Sequence, residues 1–149
     1  MVYKIPISVL VILFTRQHDV LLLERADRPG FWQSVTGSKE DENESLATTA
    51  QREVKEETGL NFDRNQFLDW NRSFDFEIFR HWRGRYKPGT THNTEHVFSL
   101  MVENKLKIEI SPREHLSYCW IDLNSAIAKV FSWTNVIALK ELPSYHMLV

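Results

Sequence analysis

The sequence predicts an α/β fold class in which a mixed β-sheet lies between layers of α-helices, as an α/β/α sandwich. Residues 2–14 and 20–23 are apolar runs rich in β-branched side chains, which is typical of buried strands. Between residues 46 and 58, apolar side chains recur at helical spacing and indicate an amphipathic helix. Strand and helix patterns alternate along the rest of the chain, and this alternation favours a sheet covered by helices.

One domain covering residues 1–149 is expected. A chain of 149 residues suits a single hydrophobic core, and it carries no internal repeat or linker. With 42% hydrophobic and 26% charged residues, the chain has the composition of a folded soluble protein. The sequence leaves the oligomeric state open between a monomer and a small homo-oligomer.

Charge and cysteine content argue against several kinds of partner. The net charge of −2 and the isoelectric point near 6.3 disfavour a nucleic-acid partner held by a basic surface. Cys119 is the only cysteine, so we expect no intramolecular disulfide and a cytoplasmic location. The most apolar run, residues 5–14, is much shorter than the roughly 20 residues that a helix needs to span a bilayer. We therefore expect a buried strand there and no membrane partner.

Further strands follow from local patterns. A turn at residues 17–19 separates the first two strands, and residues 31–36 form a shorter extended piece that ends at Gly37. Residues 80–93 contain glycine and proline together with many rings and cations, and they are expected to form a loop. The remaining strands are predicted at residues 67–79, 95–102, 106–110 and 118–121.

Three helices are predicted from capping signals. The first is expected to begin with a capping box formed by Asp41 and Glu44, or with Asn43 as the cap. It should end before Gly59, which can adopt the left-handed conformation of a helix stop. The two later helices are predicted to be capped by Asp122 and Thr134 and to reach residues 131 and 142.

Residues 52–60 read R-E-V-K-E-E-T-G-L and place three carboxylates, Glu53, Glu56 and Glu57, on one face of the first helix. Like charges at this spacing cost roughly 0.2–0.5 kcal/mol per pair. Negative charge near a helix C-terminus also opposes the helix dipole, at a cost of roughly 0.3–1 kcal/mol per exposed charge. Arg52 and Lys55 offset only part of these costs, and Lys55 points away from the three glutamates, so the pattern predicts a cation bound beside the helix.

Extended upstream to Gly37, this stretch resembles the Nudix box, G-x5-E-x7-R-E-U-x-E-E-x-G-U, in which U is a bulky apolar residue. The second half matches without a gap from Glu44. Six residues rather than five separate Gly37 from Glu44, and strict counting from Gly37 would choose Asn43. A loop tolerates one inserted residue, whereas the helix register must be kept, so Glu44 is the preferred match.

The resemblance implies the Nudix fold and hydrolysis of a diphosphate substrate with a divalent cation, usually Mg²⁺ with Mn²⁺ as a substitute. It implies that Glu53, Glu56 and Glu57 ligate this cation, in keeping with the preference of Mg²⁺ for oxygen ligands. Arg52 is expected to hold Glu44 in an ion pair that orients the loop.

The resemblance also implies a further carboxylate, because many Nudix enzymes recruit one from a later loop. Glu114 lies just before a predicted strand and suits the role of an additional metal ligand. The general base is left open among Glu56, Glu57 and Glu114. Gly37 would allow the backbone to approach the site closely.

Four other stretches resemble a narrower group, the bacterial dihydroneopterin triphosphate pyrophosphohydrolases of folate synthesis. They are V-Y-K-I-P at residues 2–6, F-W-Q-S-V-T-G at 31–37, the segment at 76–95, and S-W-T-N at 132–135. Ile5 stands where this group commonly has a second basic residue. The resemblance implies cleavage of a pterin triphosphate to dihydroneopterin monophosphate and pyrophosphate.

A pterin ring is flat and polar, so its pocket needs aromatic rings together with amide or carboxylate groups. The candidates for ring contacts are Trp32, Gln33, Phe79, Tyr86, Asn93 and Glu95. The triphosphate needs cations, and guanidinium groups match phosphate oxygens well. The candidates for phosphate contacts are Lys4, Arg25, Arg83 and Arg85. Core packing is an equally good interpretation of Trp32.

Two other functions remain open. A less selective nucleoside triphosphate pyrophosphohydrolase would use the same box, because purines share the shape and hydrogen-bonding edges of pterins. A Nudix-fold regulatory module without turnover is disfavoured, since an inactive site has no reason to keep glutamates that cost stability. An EF-hand protein is excluded, because the sequence has no D-x-D-x-D-G loop.

Overall fold

The computed structural model describes residues 2–146, which contain seven β-strands and three α-helices. The strands are β1 Ile7–Thr15, β2 Asp19–Arg25, β3 Trp32–Gln33, β4 Val35–Ser38, β5 Leu68–Glu77, β6 His92–Val102 and β7 His115–Asp122. The helices are α1 Leu46–Thr58, α2 Leu123–Lys129 and α3 Trp133–Tyr145. A 3₁₀ helix at Arg80–Arg85 lies inside the loop predicted between β5 and β6.

All seven strands form one sheet, in which β3, β2, β1, β6 and β5 are neighbours in that order. β4 also pairs with β1, and β7 pairs with β2. β1 and β6 run parallel, in a register that extends from Ile7 opposite Thr94 to Thr15 opposite Val102. The other pairs are antiparallel, so the sheet is mixed, as predicted.

β1 lies at the centre of the sheet, and its alternating side chains separate two hydrophobic cores. On one face, β1 and α1 bury Val9, Val11, Ala50 and Val54. On the other face, β1 and α3 bury Leu10, Ile12, Ala138 and Leu139. Helices on both faces of a mixed sheet confirm the predicted α/β/α sandwich. None of the helices in residues 2–146 is both long enough and apolar enough to cross a bilayer.

The start of α1 differs from the prediction. Ser45 is the N-cap, and its side chain accepts a hydrogen bond from a backbone N–H of the first turn. The capping box of Asp41 with Glu44 and the alternative cap Asn43 are both wrong, because Arg52 engages the Glu44 carboxylate instead. The end of α1 is as predicted, since Gly59 stops the helix with a φ of 77°.

Three later predictions are also corrected. Ser132 rather than Thr134 caps α3, and its hydroxyl accepts a hydrogen bond from the backbone N–H of Asn135 at 3.2 Å. Residues 31–36 form two short strands instead of one, because the N–H of Ser34 between them donates to the Asn135 side chain at 2.9 Å. Residues 106–110 are not in a strand: their apolar side chains pack on the core that Ala50 and Val54 of α1 share, and the Glu109 N–H donates to the Thr58 carbonyl at 2.9 Å.

Candidate active site

A cavity of about 830 Å³ is lined by residues of β1, β4, β6, α1 and the N-terminus of α3. Its side chains fall into three groups. The carboxylate group consists of Glu53, Glu57 and Glu114. The cation group consists of Lys4, Arg25, Arg85 and Arg113. The ring wall consists of Phe76, Phe79, Trp82, Tyr86, Asn93, Glu95 and Phe131.

Arg52 fastens the loop before α1 to the helix. Its Nε and Nη2 donate to the two carboxylate oxygens of Glu44 at 2.9 Å each, and Nη2 donates to the Ser38 carbonyl at 2.9 Å. Glu44 also accepts from Thr49 Oγ1 at 2.8 Å and from the Glu40 N–H at 2.9 Å. Hydrogen bonds from Arg52 lower the pKa of Glu44 to about 2 in spite of its partial burial. The ion pair predicted from the sequence is therefore present.

Glu53 lies directly against the backbone of β4. A Cβ atom at Gly37 would lie 2.0 Å from Cδ of Glu53, so only glycine leaves room for this carboxylate. Arg52 Nη1 donates to Glu53 Oε1 at 2.7 Å. Burial raises the pKa of Glu53, although a hydrogen bond with Glu57 and the charge of Arg52 oppose that rise. The predicted close approach at Gly37 is confirmed.

Glu57 is the most buried carboxylate of the box, with 3% of its surface exposed. Burial, then the charge of Glu53 and a hydrogen bond with it, raise the pKa of Glu57 well above its usual value. Among residues 2–146 its Oε1 has no hydrogen-bond partner, and His115 Nε2 lies 3.7 Å away. Burial, followed by the charge of Arg25, lowers the pKa of His115 to about 4. This imidazole is neutral at pH 7 and does not neutralise Glu57.

The other two proposed metal ligands lie nearer the surface. The half-exposed Glu56 carboxylate is 3.3 Å from Arg52 Nη1. Glu114 is exposed where it lines the cavity, and its charge contributes to the raised pKa of Glu57. Within the described chain, no three acidic, histidine or cysteine side chains stand close enough together to hold an ion as they are. The oxygen donors and the unpartnered Oε1 of Glu57 nevertheless fit a hard divalent cation.

Asp27 holds together two arginines of the cation group. Arg25 Nε and Nη2 donate to its two carboxylate oxygens at 2.8 and 2.9 Å, and Arg85 Nη2 donates to Oδ2 at 2.8 Å. These bonds, led by the one from Arg25, hold the pKa of Asp27 far below its usual value. The Arg25 guanidinium also donates to Gln33 at 3.1 Å and lies 4.2 Å from the centre of the Trp82 ring. The protein itself therefore orients both guanidinium groups.

Lys4 completes the cation group from the N-terminal segment. Its backbone N–H donates to the Arg85 carbonyl at 2.9 Å. Partial desolvation, and then repulsion from Arg85 and Arg25, lower the pKa of Lys4. Cations that repel one another inside one cavity favour a polyanionic ligand, because its charge would relieve the repulsion.

Most of the predicted substrate contacts line the cavity, namely Lys4, Arg25, Gln33, Phe79, Arg85, Tyr86, Asn93 and Glu95. Trp32 and Arg83 are not among the lining residues. The Trp32 ring lies 4.6 Å from Lys129 Nζ and packs on the core beside α3. Arg83 Nε donates to the Ile78 carbonyl at 3.0 Å, and Nη2 lies 3.4 Å from Glu77. The expectation of a substrate contact is corrected for Arg83, whereas Trp32 follows the core-packing interpretation that the sequence left equally open.

Sequence reasoning missed several residues of the cavity, namely Asp27, Trp82, His115, Phe131 and Asn135. Trp82 belongs to the central loop, whose many rings and cations were a usable signal. Asp27 carried no such signal, because it is 58 positions from its partner Arg85.

Two polar residues of the ring wall each have one buried oxygen without a partner among residues 2–146. Asn93 and Glu95 are 2% and 6% exposed. Among residues 2–146, Asn93 Oδ1 and Glu95 Oε1 have no hydrogen-bond partner. Burial raises the pKa of Glu95 to about 7, against the opposing effect of a hydrogen bond with Thr134. Keeping this carboxyl buried therefore costs stability at neutral pH.

Glu95→Gln is expected to stabilise the protein at pH 8 and to lose most of this advantage at pH 5. Between the ordinary pKa of 4.5 and the folded value of about 7, the unfolded state has released the proton and the folded state retains it. The stability of the parent therefore falls as the pH rises through this window and is level above it. Above this window, the free energy of unfolding of Glu95→Gln should exceed that of the unsubstituted protein by roughly 3 kcal/mol, which corresponds to roughly 5–10 °C in Tm.

Thermal unfolding of both proteins at pH 5 and pH 8 measures this difference. Glu77→Gln is the matched control, because it removes a carboxylate whose side chain is 69% exposed. The control should show no such pH dependence. A Glu95→Gln protein whose Tm differs from the parent by the same amount at both pH values would contradict the assignment.

The sequence matches the NUDIX domain family over residues 4–139, and the chain belongs to this family. The Nudix fold predicted from residues 37–60 is thereby confirmed. The chain is 44% identical to the dihydroneopterin triphosphate diphosphatase of Escherichia coli over 143 residues, which cover 94% of this chain and 93% of that protein. It is 42% identical to the protein of the same name from Haemophilus influenzae over 144 residues, covering 95% of this chain and 89% of that one.

A solved structure agrees with these sequence relationships. The fold resembles that of the E. coli dihydroneopterin triphosphate pyrophosphohydrolase with a TM-score of 0.87 and 43% sequence identity. The match covers 95% of this chain and 97% of that one. The narrower resemblance seen in the sequence is therefore also a resemblance of the whole fold.

Proposed function

We propose that this chain is a Mg²⁺-dependent pyrophosphohydrolase that cleaves dihydroneopterin triphosphate to dihydroneopterin monophosphate and pyrophosphate, with Mn²⁺ able to replace Mg²⁺. The observation that supports this proposal most strongly is a single cavity that combines buried carboxylates, several cations and a polar, ring-lined wall. Relatives that are 42–44% identical bear the name of this activity. The proposal includes a cytoplasmic location, a small-molecule substrate and a monomer or small homo-oligomer.

Glu53 and Glu57, with Glu56 and Glu114 beside them, are the residues that would hold the divalent cation. When bound, this cation neutralises phosphate charge and lowers the pKa of an attacking water. Arg52 engages Glu56 at 3.3 Å. Glu57 and Glu114 are therefore the better placed carboxylates to accept the proton of the water, whereas Glu56 is the weakest candidate.

The cation group would bind the triphosphate. Guanidinium groups present paired N–H donors that match phosphate oxygens, and Asp27 holds those of Arg25 and Arg85 in a fixed orientation. Lys4 adds a further positive charge beside Arg85. Arg52 and Glu44 would act by positioning α1 and its loop, since they are bonded to each other and Arg52 also donates to the Ser38 carbonyl of β4.

The release of pyrophosphate in the presence of Mg²⁺ tests the proposal. Dihydroneopterin triphosphate is compared with a panel of ribo- and deoxyribonucleoside triphosphates at equal concentrations. We expect kcat/KM for the pterin to exceed that for every nucleotide by about tenfold or more, which corresponds to roughly 1.4 kcal/mol of discrimination.

The other outcomes identify the competing functions. Similar kcat/KM values across the panel would indicate a general nucleoside triphosphate pyrophosphohydrolase that clears nucleotides. If no substrate released pyrophosphate while calorimetry still detected Mn²⁺ binding, a regulatory module without turnover would replace the proposed enzyme.

A further inference from the structure

The ring wall contains a pair of buried acceptors that no donor of residues 2–146 satisfies. Asn93 and Glu95 are alternate residues of β6, so their side chains project from the same face of the sheet. Asn93 Nδ2 donates to Ser8 Oγ at 2.7 Å, which directs its carbonyl oxygen away from that bond. Within residues 2–146, this oxygen and Glu95 Oε1 are left without donors.

Burying the Glu95 carboxylate without a positively charged partner lowers the stability of the fold. Glu95 is only 6% exposed, and among the described residues no lysine, arginine or histidine lies within ion-pair distance of it. Thr134 supplies a hydrogen bond, but a carboxylate can accept several. A buried carboxylate with spare acceptor capacity is stabilised by a ligand that brings N–H donors in a matching arrangement.

The surroundings indicate the shape of that ligand. Both residues line the same cavity as Phe76, Phe79 and Phe131, whose rings suit a flat aromatic ligand rather than a hydrated ion. A second metal ion is a poor alternative occupant, because Glu95 is the one carboxylate among the residues that define the ring wall, and the box glutamates already offer a better donor set.

We propose that Glu95 is the specificity-determining residue for the ring and reads the adjacent N3–H and 2-amino donors of a 2-amino-4-oxopteridine, with Asn93 Oδ1 accepting the remaining amino hydrogen. A carboxylate has two oxygens at the spacing of these two donors, so both hydrogen bonds form side by side. A pteridine with a 2-oxo group would instead place its own acceptor against the carboxylate. This inference rests on the proposed function, which is what brings a pterin to the cavity.

Binding of the ring without its phosphates tests the inference separately from catalysis. Neopterin is compared with the lumazine that has the same side chain but a 2-oxo group in place of the 2-amino group. Calorimetry or ring fluorescence in metal-free buffer gives both dissociation constants. We expect the parent protein to bind neopterin roughly 10–100-fold more tightly, as hydrogen bonds to a buried charged group imply.

Glu95→Gln should reverse this preference. The glutamine amide keeps one acceptor for N3–H and offers one donor, which matches the 2-oxo group of lumazine and opposes the 2-amino group of neopterin. Loss of packing alone would weaken both rings and would not exchange their order. Glu77→Gln is the matched control, since Glu77 also lines the cavity but is exposed, and it should keep the preference of the parent.

Equal binding of the two rings by the parent protein, or binding of neither, would overturn the inference whether or not the variant folds. So would a folded Glu95→Gln protein that still prefers neopterin. The proposed function is tested by turnover and not by these binding measurements. If the protein turned over dihydroneopterin triphosphate but bound the two rings equally, only the specificity role of Glu95 would be rejected. If the protein bound neopterin more tightly than the lumazine but did not hydrolyse dihydroneopterin triphosphate, only the proposed reaction would be rejected.

Discussion

Glu57→Gln is expected to lower kcat for pyrophosphate release by roughly 100- to 1,000-fold, with a much smaller change in KM. Glu57 is 3% exposed, and among residues 2–146 its Oε1 is unpartnered, so this carboxylate oxygen is available to a cation or a proton. Glutamine keeps the shape and removes the charge. The cation stabilises charge that grows in the transition state, so its loss falls mainly on kcat.

Two measurements separate this loss from damage to the fold. The affinity for Mn²⁺, measured by calorimetry, should fall together with kcat. The Tm should be maintained or rise, because the substitution removes a charge that burial and Glu53 both disfavour. Glu103→Gln is the control, since this exposed carboxylate pairs with Arg16 on the surface and should leave all three quantities unchanged. A Glu57→Gln enzyme with near-parental kcat would show that Glu57 is not part of the catalytic machinery.

Gly37→Ala is expected to reduce kcat by roughly 100-fold, in line with the cost of a misplacement of about 1 Å at a reacting centre. The new Cβ would lie 2.0 Å from Cδ and 2.3 Å from Oε2 of Glu53, so the carboxylate must move. The obstructed atoms form the end of a flexible side chain, which can rotate at a cost of roughly 0.5–1.5 kcal/mol. The fold should therefore survive while Glu53 loses its position.

Gly84→Ala provides the matched control, because no atom of residues 2–146 outside its two chain neighbours lies within 4 Å of a Cβ at that position and its φ requires no glycine. Steady-state kinetics and Tm are compared for the two variants. Gly37→Ala should lose activity and Mn²⁺ affinity with little change in Tm, and Gly84→Ala should lose neither. Equal activity of the two alanine variants would show that the position of Glu53 does not matter for the reaction.

The register of α1 illustrates what local sequence can predict. Apolar spacing and the stop at Gly59 define which residues share a helix face, and the structure keeps this helix from Leu46 to Thr58. The ion pair between Arg52 and Glu44 was also predictable, because both positions belong to one short motif with a fixed helical register. Asp122 caps α2 as predicted, but the N-caps of α1 and α3 were not predictable, since several nearby residues are chemically suitable and only their packing decides among them.

The site shows which structural features local sequence patterns do not predict. Glu56 and Glu57 are adjacent in the box and chemically identical, yet the Glu56 side chain is half exposed and Glu57 is buried. The apolar residues of 106–110 alternate like a strand, but the segment forms none, and the Glu109 N–H donates to the Thr58 carbonyl at the end of α1. Whether a side chain is buried, or a segment is paired, depends on which distant element packs against it.

The sequence by itself determined the α/β/α class, the Nudix family and the helix that carries the glutamates, because each depends on residues a few positions apart. Only the tertiary structure decided that Asp27 joins Arg25 to Arg85, that Trp32 and Arg83 are not among the residues that line the cavity, and that Glu95 is buried with one oxygen unpartnered among residues 2–146. These features arise where segments far apart in the chain meet. Burial and charge pairing depend on which segments come together, so no single segment of the sequence predicts them.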